Sequence, residues 1–222
     1  AYTYGNGIWK DLLTKVGSAT ISYDAQGNPT SYLGHTLTWE KGRQLKSYDS
    51  NTYTYNASGV RISKTVNGVR HDFVLDGTKI LRETWGENVL IPMYDNEGSV
   101  CGICFNGEYF YFQKNLQGDI ISVTDKDANE VAKYTYDAWG NILTTGGSMA
   151  STLGAYNPLR YRGYVYDQET ALYYLQSRYY NPEIGRFISA DDVSYLGADG
   201  SMTSYNLFAY CGNNPVMGYD PT

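Results

Sequence analysis

The sequence predicts an all-β chain. Three observations carry that expectation: short β-favouring runs broken by turn residues, an excess of tyrosine over phenylalanine, and a motif that recurs at hairpin spacing. Thr, Tyr, Val and Ile crowd into short runs between Gly, Asn and Asp clusters, and Gly numbers 24 against 6 Pro, the composition of many short strands joined by tight turns. The chain holds 24 Tyr but only 6 Phe. Because each buried phenol needs a hydrogen-bond partner, this favours half-wet sheet faces over a dry core. With 222 residues, 42% of them hydrophobic, the chain can build one large domain or two small ones.

The recurring motif is an aromatic residue, then Asp, Asn or Glu, one or two variable residues, and Gly, often followed by Asn or Arg. Its copies are Tyr23-Asp24-Ala25-Gln26-Gly27-Asn28, Trp39-Glu40-Lys41-Gly42-Arg43, Tyr55-Asn56-Ala57-Ser58-Gly59-Val60-Arg61, Tyr94-Asp95-Asn96-Glu97-Gly98 and Tyr136-Asp137-Ala138-Trp139-Gly140-Asn141, with a degenerate copy at Asn115-Leu116-Gln117-Gly118-Asp119. Glycines 27, 42 and 59 lie 15 and 17 apart, and glycines 98, 118 and 140 lie 20 and 22 apart, room for two strands of about 5 to 6 residues and a loop. One hairpin per copy follows. The acidic or amide side chain accepts backbone N–H groups as an Asx-type turn begins, and the Gly supplies the positive φ that closes the loop. Flanks such as Thr20-Ile21-Ser22-Tyr23 and Tyr53-Thr54-Tyr55 put Tyr on one face and Thr or Ser on the other. A single hairpin of this kind is not independently stable, so neighbouring copies stack edge to edge into one long sheet, which twists and curls.

From Asn157 the text changes. Asn157-Pro158-Leu159-Arg160-Tyr161-Arg162-Gly163-Tyr164-Val165-Tyr166-Asp167-Gln168-Glu169-Thr170 leads into Leu172-Tyr173-Tyr174-Leu175 and then Arg178-Tyr179-Tyr180-Asn181-Pro182-Glu183-Ile184-Gly185-Arg186-Phe187. It reads as an aromatic hairpin turning at 167–170 and a second turn at 181–185, flanked by Arg178 and Arg186. Further on, Asn206-Leu207-Phe208-Ala209-Tyr210-Cys211 before Gly212-Asn213-Asn214-Pro215 reads as a short helix with its stop signal.

Together these features resemble the RHS/YD-repeat family. The repeats cover roughly residues 15 to 145, and 157–222 resembles the RHS-associated core, with its Arg-Tyr-Tyr-Asn-Pro turn, Gly-Arg-Phe, Asn-Asn-Pro and a final Asp-Pro element. The resemblance implies tandem hairpins wound into a curved spiral sheet, part of a hollow shell (1–156), with a C-terminal core plug (157–222) continuous with it. It further implies, as in toxin members, an aspartic-type autoprotease that cuts just beyond the final Asp-Pro-x-Gly and frees a C-terminal toxin held inside. By motif the carboxylates are Asp191 and Asp220 and the catalytic arginine is Arg178, thirteen residues before Asp191. Two close carboxylates do not both ionise cheaply, so one serves as acid while the other activates water, and Arg178 favours the ionised partner or the oxyanion. This chain departs from the pattern in two places: Asp192 follows Asp191 where Pro is usual, leaving the first carboxylate open by one position, and the sequence given stops at Thr222, before the usual Gly. The alternative is a non-enzymatic cell-surface, adhesive or carbohydrate-binding scaffold, in which Arg178, Asp191 and Asp220 form a static clasp.

Other functions find less support. The net charge is −6 and no Lys/Arg run tracks a phosphate backbone, so nucleic acid is not an expected partner. No stretch approaches the roughly 20 apolar residues that span a bilayer. Because the chain begins in mid-pattern, it reads as a piece of a longer secreted or cell-surface protein, with upstream repeats and an export signal before it. No cofactor or metal is expected. Cys101 and Cys104, three apart in a strand, point to opposite faces, and His35 and His71 lie far from any nucleophile. Asp125-Lys126-Asp127-Ala128-Asn129-Glu130 opens like a calcium loop but has Glu where Gly is needed and Tyr136 where a bidentate Glu is needed, so it is read as a polar hairpin turn. Trp39, Trp85 and Trp139 are platforms for sugar stacking, more simply read as packing.

Overall fold

The repeats fold because each loop satisfies its own backbone. In the first copy the Asp24 carboxylate accepts the N–H groups of Gln26 and Asn28 at 2.9 Å each, and the Asn28 amide returns to Asp24 at 2.9 Å. Asn56, Asp95, Asn115 and Asp137 accept in the same way from residues two and four further on. The glycines of these loops take φ from 80° at Gly98 to 91° at Gly140, the left-handed region that only Gly enters without steric cost. The calcium-like stretch is a further copy of this loop. Asp125 accepts from Asp127 and Asn129, and Ala128 sits at φ 64° in the glycine place.

The computed structural model describes every residue except 6, 8, 198, 199, 201, 202, 219, 221 and 222. Among the described residues, sixteen strands form one antiparallel sheet in sequence order. Its first half holds β1 (Tyr2–Tyr4), β2 (Leu13–Val16), β3 (Ala19–Tyr23), β4 (Pro29–Tyr32), β5 (His35–Glu40), β6 (Gln44–Tyr48), β7 (Asn51–Tyr55) and β8 (Arg61–Val66). The second half holds β9 (Val69–Asp76), β10 (Lys79–Trp85), β11 (Asn88–Tyr94), β12 (Val100–Phe105), β13 (Glu108–Lys114), β14 (Ile120–Thr124), β15 (Glu130–Tyr136) and β16 (Ile142–Gly146). Strands that meet at a repeat loop slip register by one residue at its aromatic, as at Ser22/Tyr23, Thr54/Tyr55 and Thr135/Tyr136, a bulge that adds twist and curls the sheet. Other connections are two-residue turns such as Asn67-Gly68 and Asn106-Gly107, with φ positive at both positions, the turn type whose twist matches that of strands.

The tyrosine excess now has a structural cause. Each repeat aromatic donates a hydrogen bond to a main-chain carbonyl of a preceding strand or its entry: Tyr23 to Leu13 at 3.0 Å, Tyr55 to Leu45 at 3.0 Å, Tyr94 to Ile80 at 2.9 Å, Tyr136 to Ile120 at 2.8 Å, and Trp39 through its indole N–H to Pro29 at 2.7 Å. Phe would leave those carbonyls unpaired at a bulge. On the opposite face hydroxyls pair across strands, Thr38 with Ser47 and Thr135 with Thr144.

A second antiparallel sheet, β17 (Val165–Asp167), β18 (Leu172–Leu175), β19 (Arg178–Asn181) and β20 (Arg186–Phe187), packs against both the early strands and the end of the first. Every residue of β18 and β19 is buried because both faces are covered. Leu172, Tyr174, Tyr179 and Ile188 pack on Leu13, Ile21, Leu37, Leu45 and Tyr53 of the early strands. On the other face Tyr173, Tyr180 and Phe187 meet Tyr136 and Trp139 from the end of the long sheet. The turns at 167–170 and 181–185 lie where the sequence places them, closed by Thr170 N–H to Asp167 O at 3.1 Å and Gly185 N–H to Asn181 O at 2.9 Å.

A buried charge network fastens this plug to the wall. Arg61 of β8 grips Asp167 of β17 through both terminal nitrogens, Nη2 to Oδ1 at 2.8 Å. Lys64 Nζ bridges Asp167 Oδ1 at 3.0 Å and Glu169 at 3.1 Å. Burial alone would raise the Asp167 carboxyl, but the Arg61 and Lys64 charges and hydrogen bonds outweigh it and bring it to about 2. Burial and the Asp167 charge raise Glu169 above the usual carboxylate range.

The helix expected over 206–211 is not there. Residues 203–205 and 211–213 form single 3-10 turns, and the segment between them spends its backbone on the plug, with Phe187 N–H to Phe208 O at 3.0 Å and Asp191 N–H to Leu207 O at 2.9 Å. Asn206 Oδ1 also accepts from Phe208 N–H, an Asx turn that competes with helix. The one α-helix among the described residues is four residues long, α1 (Leu153–Tyr156), after the long sheet.

Candidate active site

Arg178 opens β19, and the strand buries its side chain to 9% exposure. Its guanidinium lies on the Phe187 ring, 3.6 Å from the centroid, so the Gly-Arg-Phe element supplies the floor on which the charge rests. Nη1 meets Asp191 Oδ2 at 2.8 Å and Nη2 meets Asp220 Oδ2 at 3.3 Å. Of the three residues named from the motif, the two carboxylates therefore converge on the guanidinium of the third. Burial pulls Arg178 below the usual arginine range, and the charges of Asp191 and then Asp220 oppose that.

Each carboxylate is fixed by its own backbone. The Asp191 N–H binds Leu207 O, and its Oδ1 accepts the N–H of Asp192 at 2.7 Å. Asp220 is held by Tyr164, whose hydroxyl accepts the Asp220 N–H at 3.0 Å and donates to the Asp220 carbonyl at 2.9 Å. Burial pushes the Tyr164 hydroxyl up to about 12, so it stays a donor. Of the two adjacent carboxylates, Asp191 touches Arg178, whereas Asp192 turns away to Arg43 Nη2 at 3.1 Å and to the Ser194 N–H at 2.9 Å. The Ser194 N–H, with Arg43 assisting, holds Asp192 below the usual carboxylate range. Pro221 and Thr222 of the final Asp-Pro element lie outside the described residues.

Two openings flank the trio. Asp191 faces a cleft of 630 Å³ that Gln26, Gln44 and Tyr55 line from the wall. Asp220 borders a cavity of 390 Å³ lined by Lys79, Lys114 and Arg162, and Gln176 lines both. This arrangement can present two carboxylates and a cation to a peptide carbonyl with water admitted from the cleft side.

Sequence reasoning missed Arg43 and Tyr164. Arg43 stood only as the last residue of a repeat copy, and Tyr164 as one aromatic among many. Trp85 and Trp139, singled out in the sequence, pack against other aromatic rings. Cys101 and Cys104 share β12, Trp85 is stacked on His71 at 5.1 Å and on Phe105 at 6.1 Å, and Trp139 packs against Tyr180. His35 and His71 pair with Asp49 and Glu83 at 2.7 Å each.

A sequence profile of the teneurin YD-shell family matches residues 78–216. The chain belongs to that family. Its YD shell is 41% identical over 220 residues to the tRNA nuclease WapA of Bacillus subtilis and 40% identical over 220 residues to the tRNA3(Ser)-specific nuclease WapA of Bacillus spizizenii, in each case over 94% of this chain and 9% of that protein. The Burkholderia cenocepacia double-stranded DNA deaminase toxin A is 34% identical over 113 residues, 50% of this chain and 7% of the toxin. Among solved structures, TcdB2-TccC3-TEV superposes with a TM-score of 0.68 at 22% identity over 90% of this chain and 10% of that one. A Photorhabdus luminescens Tc holotoxin pore gives 0.68 at 20% over the same shares. These structures establish the fold, and the chain spans about a tenth of the length of the proteins it resembles. No helix among the described residues is long and apolar enough to cross a membrane.

Proposed function

We propose that this YD-shell segment is the wall and plug of a secreted, toxin-enclosing shell, and that Asp191, Asp220 and Arg178 cut the chain in cis shortly after Asp220 to release a C-terminal toxin. The observation that carries this reading is the convergence of both carboxylates on one buried guanidinium, 2.8 and 3.3 Å away. In the proposed step one carboxylate, ionised, takes a proton from water as it adds to the scissile carbonyl. The other, protonated, gives its proton to the amide nitrogen as the tetrahedral adduct collapses, so that the C–N bond breaks, the amine leaves and a carboxyl group remains, and Arg178 stabilises the negative charge that builds on the carbonyl oxygen before that collapse. Similarity to toxin proteins whose matching region is a small fraction of their length supports a cargo and further repeats elsewhere in the chain.

The second reading is a static clasp, favoured by the ion pairs that already join Arg178 to each carboxylate. One experiment separates the two. The gene is expressed to its natural end beyond residue 222, and products are followed by mass spectrometry from mildly acidic to neutral pH. Cleavage of wild type, with Asp191→Asn, Asp220→Asn and Arg178→Ala each folded but whole, supports the protease. An uncut wild type leaves the clasp.

A further inference from the structure

Arg43 belongs to the one motif copy whose loop is a residue shorter, with Glu40 in place of Asp and Arg after the turn glycine. In the Tyr23 and Tyr136 copies the residue after that glycine is Asn, and its amide folds back on the loop Asp at 2.9 and 2.7 Å. Arg43 instead reaches across to the plug. Its root is held in place because the Asn28 amide of the preceding copy donates to Gly42 O at 2.6 Å. Its guanidinium meets Asp192 Oδ2 through Nη2 at 3.1 Å and Asp191 Oδ1 through Nη1 at 3.8 Å. Asp191 is thereby bracketed, with Oδ1 between the Asp192 N–H and Arg43 and Oδ2 on Arg178. Asp192, where the family usually carries Pro, is the residue that draws Arg43 in.

We propose that Arg43 is a positioning residue, the contribution of the repeat wall to a cleavage site otherwise built from the plug, and that Asp192 is its anchor. This rests on the reading of Asp191 as a cleavage residue. It makes cutting conditional on the wall being closed around the plug, because Arg43 and Asp192 are 149 residues apart in the chain and meet only when the early repeats have wrapped. The charged and titratable groups around the guanidinium pair are Arg178, Asp191, Asp192, Asp220 and Tyr195.

The test uses the full-length protein and measures the first-order cleavage rate against pH for wild type, Arg43→Ala, Arg43→Lys, Asp192→Asn and the double variant Arg43→Ala/Asp192→Asn, with a melting curve for each. Arg43→Ala should slow cutting about tenfold, as displacement of a reacting group by a fraction of an ångström does. Arg43→Lys should restore most of that rate, and the double variant should cost less than the product of the two single effects. An unchanged rate in Arg43→Ala overturns the proposal. So does a slower rate with no rescue by Lys, which would mark a merely structural residue. If wild type is not cut, the protease reading fails, and a carbon-13 NMR titration of the Asp192 carboxyl in that intact protein judges the Arg43 pairing separately. A midpoint that rises in Arg43→Ala supports the pairing, and an unmoved midpoint overturns it.

Discussion

Arg61→Met tests how the plug is held. The Arg61 side chain is 1% exposed and that of Asp167 is 0% exposed, so the substitution leaves a carboxylate in the interior with Lys64, at 3.0 Å, as its remaining cation. Breaking a buried pair from one side costs about 3 to 5 kcal/mol, and the surviving Lys64 contact places this case near 3 kcal/mol. The guanidinium also lies 4.3 Å from the centre of the Tyr174 ring, a contact that Met replaces with dispersion. For a chain of this size the loss is a fall in Tm on the order of 6 to 12 °C. The double variant Arg61→Met/Asp167→Leu should recover most of it, because apolar groups of similar volume replace a buried ion pair at little cost. Denaturant unfolding with circular dichroism as the probe measures both. A single variant within 1 kcal/mol of wild type, or a double variant worse than the sum of the singles, would refute the argument that the charge of Asp167 must be matched.

Three further outcomes follow from the same physics. Tyr55→Phe removes the hydroxyl that bonds Leu45 O and Tyr179, at 3.0 and 2.9 Å, and should cost about 1 to 2 kcal/mol in urea unfolding. Ala128→Gly relieves an exposed left-handed alanine at φ 64° and should raise stability by about 0.5 to 1 kcal/mol, read as a higher denaturation midpoint. Asp167 has a depressed folded-state value of about 2, so its contribution is present above the unfolded carboxylate range and is lost as pH falls from about 4 towards 2. Glu169 is shifted upward, so its contribution runs the other way and is lost as pH rises. Melting curves should therefore drop between pH 4 and 2, and Asp167→Asn should flatten that drop.

The fold was legible because its determinants are local. An acceptor at one position, N–H donors two and four residues later and a glycine between them all fit within one six-residue word, and five such words specify hairpins and their stacking. The tyrosine excess was readable as a demand for hydrogen bonds, though not which carbonyls would answer it. The plug trio was legible only through resemblance, since nothing in the spacing of Arg178, Asp191 and Asp220 places them on one guanidinium. Contacts across the wall left no local signal: Arg61 reaches Asp167 over 106 residues and Arg43 reaches Asp192 over 149. The helix expected at 206–211 failed for a related reason, because the apolar Leu207 and Phe208 serve a tertiary pairing with 187–191 that helical pattern does not reveal.

The mass of what the full-length protein becomes decides whether the shell cuts itself. Incubated alone, wild type should resolve into two fragments whose junction lies shortly after the Asp220-Pro221-Thr222 element, while Asp191→Asn, with the same melting curve, should keep a single intact mass. A wild-type protein that keeps its full mass throughout, or an Asp191→Asn variant cut at the same bond and rate, would contradict it.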